Sequence, residues 1–146
     1  MQLQKCSVKD VSTLARLNKQ LIEDEKSDNA MNMIELEERM KEFLETEYSA
    51  YFFIEEHQVV GYALIRNTSN PIYLRQFLID RNFRNRHYGT QAFQLLLKSL
   101  DIKEIDLEVL PWNTGGLAFW KHCGFSETCI AMRYEREFIV KEGSNL

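Results

Sequence analysis

Two periodicities divide the chain. Val11, Leu14, Leu17, Leu21 and Ile22 recur at helical spacing and predict a helix ending near Ile22. A first strand, Gln2–Cys6, precedes it. Between the two, Ser7-Val8-Lys9-Asp10 has the form of a capping box, a hydroxyl followed three residues on by a carboxylate. The polar run Glu23–Asn29 predicts a loop, and Leu36, Met40, Phe43 and Leu44 mark one face of a second helix. The period then drops to two. Ala50–Ile54 is aromatic and β-branched, Val59–Arg66 alternates Val60, Tyr62 and Leu64 against Gly61, Ala63 and Ile65, and Ile72–Ile79 is a further strand. Glu55–Gln58 and Asn67–Pro71 read as turns, so these strands predict an antiparallel meander.

Beyond Ile79 the pattern changes again. Arg81–Gly89 is a polar connector, Ala92, Phe93, Leu96, Leu97 and Leu100 mark a helix, and Ile105, Leu107 and Val109 mark a strand. Thr114–His122 reads as a short helix closed by Gly124, which stands where a left-handed residue ends a helix. Ser126–Val140 reads as mostly extended. A strand–helix–strand passage favours parallel pairing, so the expected fold is a mixed α/β sheet with helices on its faces.

The 146 residues suit one domain, 1–146, around a single core. A net charge of −4, with basic residues gathered only at Arg81–Arg86, argues against a nucleic-acid partner and for one small anion at that cluster. The chain starts without the charged and apolar run of ~7–15 residues of a signal peptide, and no stretch nears the ~18 apolar residues of a membrane span. Cys6, Cys123 and Cys129 have no zinc-ligand spacing, so no metal is expected, and free thiols fit a reducing cytoplasm.

The connector carries the chemistry. A helix N-terminus presents free N–H groups and a partial positive charge, which suits a pyrophosphate. Arg84 and Arg86 offer charge-assisted bonds to phosphate oxygens, Gly89 allows close backbone approach, and Thr90 offers a hydroxyl. A solvated basic loop is the alternative at this point.

The segment resembles the cofactor loop of the GNAT superfamily of acetyl-CoA-dependent N-acyltransferases, whose pattern is Gln/Arg-x-x-Gly-x-Gly/Ala after an apolar-x-apolar strand end. Phe77 and Ile79 supply the apolar pair, Arg84 the first position and Gly89 the last, with His87 in place of the middle glycine. Downstream, Leu107–Leu110, Asn113, Gly116, Trp120, Gly124 and Phe125 keep the spacing of that family's closing segment, and Leu3–Asp10 with Leu14 and Leu17 resembles its opening strand and helix. The resemblance implies a mixed, largely antiparallel sheet of six to seven strands with helices on both faces. It implies acetyl-CoA as acyl donor, held by Phe77, Leu78, Ile79, Arg84, Asn85, Arg86, His87, Tyr88, Gly89, Thr90, Asn113 and Trp120. It also implies direct attack of a primary amine on the thioester in a ternary complex.

Such an amine must lose a proton, and an alkylamine has a pKa of ~10.4, so a base is needed. Strand Ile72–Ile79 offers Tyr73, Arg75 and Gln76 but no carboxylate, which leaves Glu108 as the candidate base. Trp120 stands where the family often has a Tyr acid. An indole N–H donates a hydrogen bond but gives up no proton at accessible pH, so Trp120 can only bond or pack against the leaving sulfur. By resemblance the loop after the first helix lines the acceptor pocket, and Glu23, Asp24, Glu25 and Asp28 there suit a small cationic amine or a protein amine. The alternative is a CoA-binding sensor or interaction module with little catalysis. Phe138, Ile139 and Val140 offer an apolar strand for a homodimer.

Overall fold

A computed structural model describes residues 1–136. By internal contacts the chain divides into two units, Met1–Thr114 and one that begins at Gly115.

In the first unit the order is β1 (Gln2–Lys5), a 3-10 turn (Val8–Asp10), α1 (Val11–Asp24), α2 (Met33–Glu45), β2 (Tyr48–Glu55), β3 (Gln58–Arg66), β4 (Ile72–Ile79), a second 3-10 turn (Arg81–Phe83), α3 (Tyr88–Ser99) and β5 (Ile105–Asp106). The strands form one sheet in the order β1-β2-β3-β4-β5. Pairing is antiparallel from β1 to β4, and β5 joins β4 in parallel. The meander and the parallel crossover through α3 are therefore as the periodicity predicts.

Local chemistry sets the ends of these elements. The Ser7 N–H donates to Asp10 Oδ2 at 2.9 Å, and Asn32 and Glu35 bond reciprocally at the start of α2, at 2.9 and 3.0 Å. Helix α1 ends in a Schellman turn. Lys26 is left-handed (φ 51), its N–H bonds the Glu23 carbonyl, and the Ser27 N–H bonds that of Ile22.

Strand β2 is buried on both sides, so its sequence reads as a continuous apolar run rather than an alternation. One face carries Phe52, Tyr62, Leu64 and Leu78 against Leu14, Leu17 and Met40 of α1 and α2. The other carries Phe53 and Phe77, and Phe93 of α3 meets the Phe77 ring edge-on at 6.3 Å. Helices thus cover both faces. Filling a face with residues of this kind is worth about 1.5–3 kcal/mol per large side chain, which is the main force fixing the register.

The sheet has five strands among the described residues, not six to seven. The Ile105–Val109 strand stops at Asp106, and residues 126–135 carry no strand. Alternation predicts an extended backbone, not a partner. Strand β4 parts from β5 beyond Tyr73, so among the described residues Leu107–Leu110 join no ladder. Phe138, Ile139 and Val140 lie outside the described residues.

Helix α4 spans Thr114–His122, as expected, and from Gly115 on it belongs to the second unit. Gly124 (φ 105) closes it in a second Schellman turn. The Gly124 N–H bonds the Lys121 carbonyl, the Phe125 N–H bonds that of Trp120, and the Trp120 and Phe125 rings meet at 5.3 Å. The Trp120, Gly124, Phe125 spacing is thus also the spacing of a helix stop.

Candidate active site

The site begins where β4 ends. Asp80, 4 % exposed, accepts the Asn82 N–H at 3.1 Å and starts the 3-10 turn. Its carboxylate also meets Gln20 Nε2 at 3.4 Å and Arg16 Nη1 at 3.8 Å, while the Arg81 N–H donates to Gln20 Oε1 at 2.7 Å. These bonds fasten the connector to α1. The chain then runs through Arg84 in extended form, Asn85 (φ 64) and His87 (φ 62, ψ 18) into α3.

His87 therefore occupies the left-handed conformation that a glycine at this position would take without cost. A non-glycine residue held there costs about 1–2 kcal/mol. Its side chain does not cap α3. Tyr88, Gly89 and Thr90 head the helix, so their N–H groups have no acceptor within it. Asn85, Arg86 and His87 are exposed, and Tyr88, Gly89 and Thr90 half-buried. Backbone donors, a helix dipole and the Arg86 guanidinium, which lies 5.7 Å over the Phe83 ring, together make a cradle for an anion.

The Arg84 side chain is engaged within the protein. Its Nε donates to the Ile79 carbonyl at 3.0 Å, and its Nη2 ion-pairs with Asp24 and reaches Gln20 Oε1 at 3.4 Å. Arg81 shares Asp24 at 3.6 Å. Arg84 thus locks the end of β4 to the last turn of α1.

The second component is an open strand edge. Strands β4 and β5 pair only at Ile72–Ile105 and Tyr73–Asp106. The register on the other side of β4 sets which groups face the opening. The Asp80 N–H donates to Val60 at 2.8 Å, and Tyr62 pairs with Leu78. Backbone groups alternate sides, so those of Phe77 and Ile79 face away from β3, toward the gap, and the Leu78 N–H faces β3. A strand that leaves its neighbour in this way can take an extended ligand as it would a strand. A bulge lies at its start, where Leu64 and Ile65 oppose Gln76 and Leu74 and Arg75 is the extra residue.

On the α1/α2 face below the gap is a buried polar chain. The Tyr62 O–H donates to Gln76 Oε1 at 2.8 Å, and Arg39 Nη2 donates to Asn18 Oδ1 at 2.8 Å. Burial pushes the Tyr62 phenol up. Glu25, half-buried at the end of α1, accepts the Trp112 indole N–H on its carbonyl at 2.8 Å. Burial, with the nearby Asp24 charge, raises the Glu25 carboxyl above its usual range. Of the four carboxylates the sequence offers in this loop, Asp24 is taken by arginines and Glu25 is the one drawn inward. Glu108 is exposed, and its charge adds to the effect of burial in raising the Tyr73 phenol.

Asn113 directly precedes α4, its N–H on the Leu110 carbonyl at 2.9 Å. Trp120 is half-buried in α4 between Phe119 and Phe125. Sequence reasoning missed Asp80, Gln20, Asn18 and Arg39. Asn18 was detectable as a polar residue inside the apolar stripe of α1, and Asp80 as a turn-starting Asp after a strand.

A strand edge that leads to a helix N-terminus suits an extended, anion-bearing ligand. The comparisons name the family. Residues 16–125 match the acetyltransferase (GNAT) family, and the chain belongs to it. Solved structures share the fold. A possible acetyltransferase from Clostridium difficile 630 is 19 % identical with a TM-score of 0.73, over 92 % of this chain and 96 % of that one. A predicted acetyltransferase from Clostridium acetobutylicum, solved with acetyl-CoA, is 19 % identical with a TM-score of 0.70, over 92 % and 96 %. The aminoglycoside N-acetyltransferase AAC(6')-Iy, in complex with CoA, is 17 % identical with a TM-score of 0.69, over 93 % and 94 %. No curated protein matches. Among the described residues no helix is long and apolar enough to cross a membrane.

Proposed function

We propose that the protein transfers the acetyl group of acetyl-CoA to a primary amine by direct attack in a ternary complex. The observation that carries this is the divergence of β4 from β5 beyond Tyr73, at the strand whose end leads into the N-terminus of α3. Backbone groups of β4 on the side away from β3, the Ile79 N–H among them, suit the pantetheine amides, and the N–H groups of Arg86 to Thr90 suit the pyrophosphate. Asn113 and Trp120 complete the donor site by resemblance to the family. The amine nitrogen forms a bond to the thioester carbon, the carbon–sulfur bond breaks, and CoA leaves as thiolate. The thiol pKa of ~8.5 makes that departure tolerable without an acid, which fits an indole at position 120.

The amine proton passes to a carboxylate at the gap. Glu108 is the candidate from sequence, and Glu25 is the better matched, because a raised carboxyl is a stronger base. We read 1–146 as one acyltransferase domain working in a reducing cytoplasm. The cradle is tested by affinity for CoA. Gly89→Val should weaken it about tenfold or more by blocking backbone approach, and unchanged affinity removes the assignment.

A second reading is a CoA-binding module with little catalysis. It is favoured by Trp120 in the usual Tyr position and by a β4 strand without a carboxylate. Turnover separates the two.

A further inference from the structure

Acetyl transfer leaves the arginines beside the start of β4 without a task. Arg75, the exposed extra residue of the bulge, lies two positions past the last β4–β5 pair. Its guanidinium stands 4.9 Å from the Phe43 ring centroid and 5.7 Å from that of Tyr48, and its Nη1 donates to the Tyr48 hydroxyl at 3.3 Å. Arg39 lies over the same Phe43 ring at 5.4 Å, and its buried Nε has no hydrogen-bond partner. Arg66 lies over Tyr73 at 5.4 Å and Tyr48 at 6.0 Å.

Arg16, Arg81 and Arg84 each reach a carboxylate, whereas among the described residues Arg39, Arg66 and Arg75 reach none. The chain has 22 acidic residues against 18 basic ones, so counter-ions are not scarce. Burial first, and then the charge of Arg75, weakens the hold of Arg39 on its proton. Two like charges held over one ring favour an incoming anion. Stacking fixes the guanidinium plane and leaves its N–H edge for a two-point bond to a carboxylate.

The position matters as much as the charge. Arg75 is exposed where β4 leaves β5, and it meets Phe43 of α2 on the sheet face that Gln76 and Tyr62 share. Glu25 lies half-buried at the end of α1, with its carbonyl accepting the Trp112 indole N–H. A purely cationic amine would use Glu25 and be repelled by the arginines. A zwitterion would use both.

We infer that the acceptor is an amine that carries a carboxylate, such as an α-amino acid, with Arg75 holding the carboxylate and Glu25 facing the amine. This rests on the acetyl-transfer reading and narrows it to a substrate class.

The test is steady-state thiol release from acetyl-CoA with amino acids, their matched amides and a polyamine, for the wild type, Arg75→Gln and Arg75→Lys. The wild type should prefer acid over amide in kcat/KM by about tenfold or more, the worth of a charge-assisted pair. Arg75→Gln should erase that preference through KM for the acceptor while leaving the KM of acetyl-CoA unchanged, and Arg75→Lys should restore part of it. If Arg75→Gln fails to fold, the wild-type ratio decides alone. Amides or polyamines used as well as acids overturn the inference and leave acetyl transfer standing. A raised KM for acetyl-CoA in Arg75→Gln also overturns it, because the arginine then serves the donor. Release with no amine of any kind overturns both.

Discussion

Adding one methyl group at Gly61 should disrupt both stability and donor binding. A Cβ built there stands 2.2 Å from the Leu78 carbonyl oxygen, 3.0 Å from Ile79 Cδ1 and 3.2 Å from Ile79 Cα. The first contact is about 1 Å short of ordinary van der Waals distance. The oxygen belongs to a strand backbone paired with Tyr62, so it cannot swing aside as a side chain would. Relief requires β4 to move away from β3, at the residues that present the open edge. Overpacking costs about 1–3 kcal/mol, and a main-chain clash belongs at the upper end, about 3 kcal/mol. At about 2–4 °C per kcal/mol this lowers Tm by about 6–12 °C. The control is Gly115→Ala in α4, where an added Cβ meets nothing within 4 Å. There the helix propensity of Ala should stabilise by up to about 1 kcal/mol. Urea unfolding followed by circular dichroism reads both. A Gly61→Ala loss below about 1 kcal/mol, or a change of the same sign in both variants, would refute the reasoning.

Three further outcomes follow from the site. Glu25 has a raised folded-state pKa, so its ionisation opposes folding: wild type and Glu25→Gln should be equally stable below the unfolded pKa of ~4.5, and the variant should gain as pH rises through the folded value. Equal stability across pH 4 to 8 would contradict the burial of that carboxylate, and Glu25→Gln should also slow transfer. At position 87 the stability order should be Gly at least equal to His, and both above Val, because φ is 62; a Gly variant less stable by more than about 1 kcal/mol would mean the imidazole makes a compensating contact. Trp120→Phe should lower kcat by less than about tenfold and leave the alkaline limb of the pH profile in place, since an indole supplies no proton; a loss of ~10²-fold or more would give Trp120 a direct part in the chemistry.

Much of this fold was legible in the sequence because its elements are strongly periodic. Helix α4 falls at Thr114–His122 and its stop at Gly124 because the cap chemistry is local. The meander followed from turn residues between apolar runs. Sheet pairing was less legible. Ile105, Leu107 and Val109 alternate like a strand, yet only Ile105 and Asp106 are paired, because pairing depends on where β4 goes. The cradle was legible by position but not in detail. Nothing local says that His87 would be left-handed, or that Arg84 would turn to Asp24, sixty residues away in sequence. The charged loop after α1 showed four carboxylates alike, and only burial and the Trp112 bond to its carbonyl set Glu25 apart. Arg75 of the β4 bulge reads in sequence as one more residue of a strand without a carboxylate, and in the fold Arg39 joins it over the Phe43 ring. In the fold they become a charge pattern of their own.

The most direct test of the account is free-thiol release by the purified protein from acetyl-CoA, across a panel of amines with and without a carboxylate. The account predicts release that depends on an added amine, saturates with both substrates and is matched by N-acetylated product. CoA binding without amine-dependent release from any member of the panel would contradict it and leave the binding module as the reading that stands.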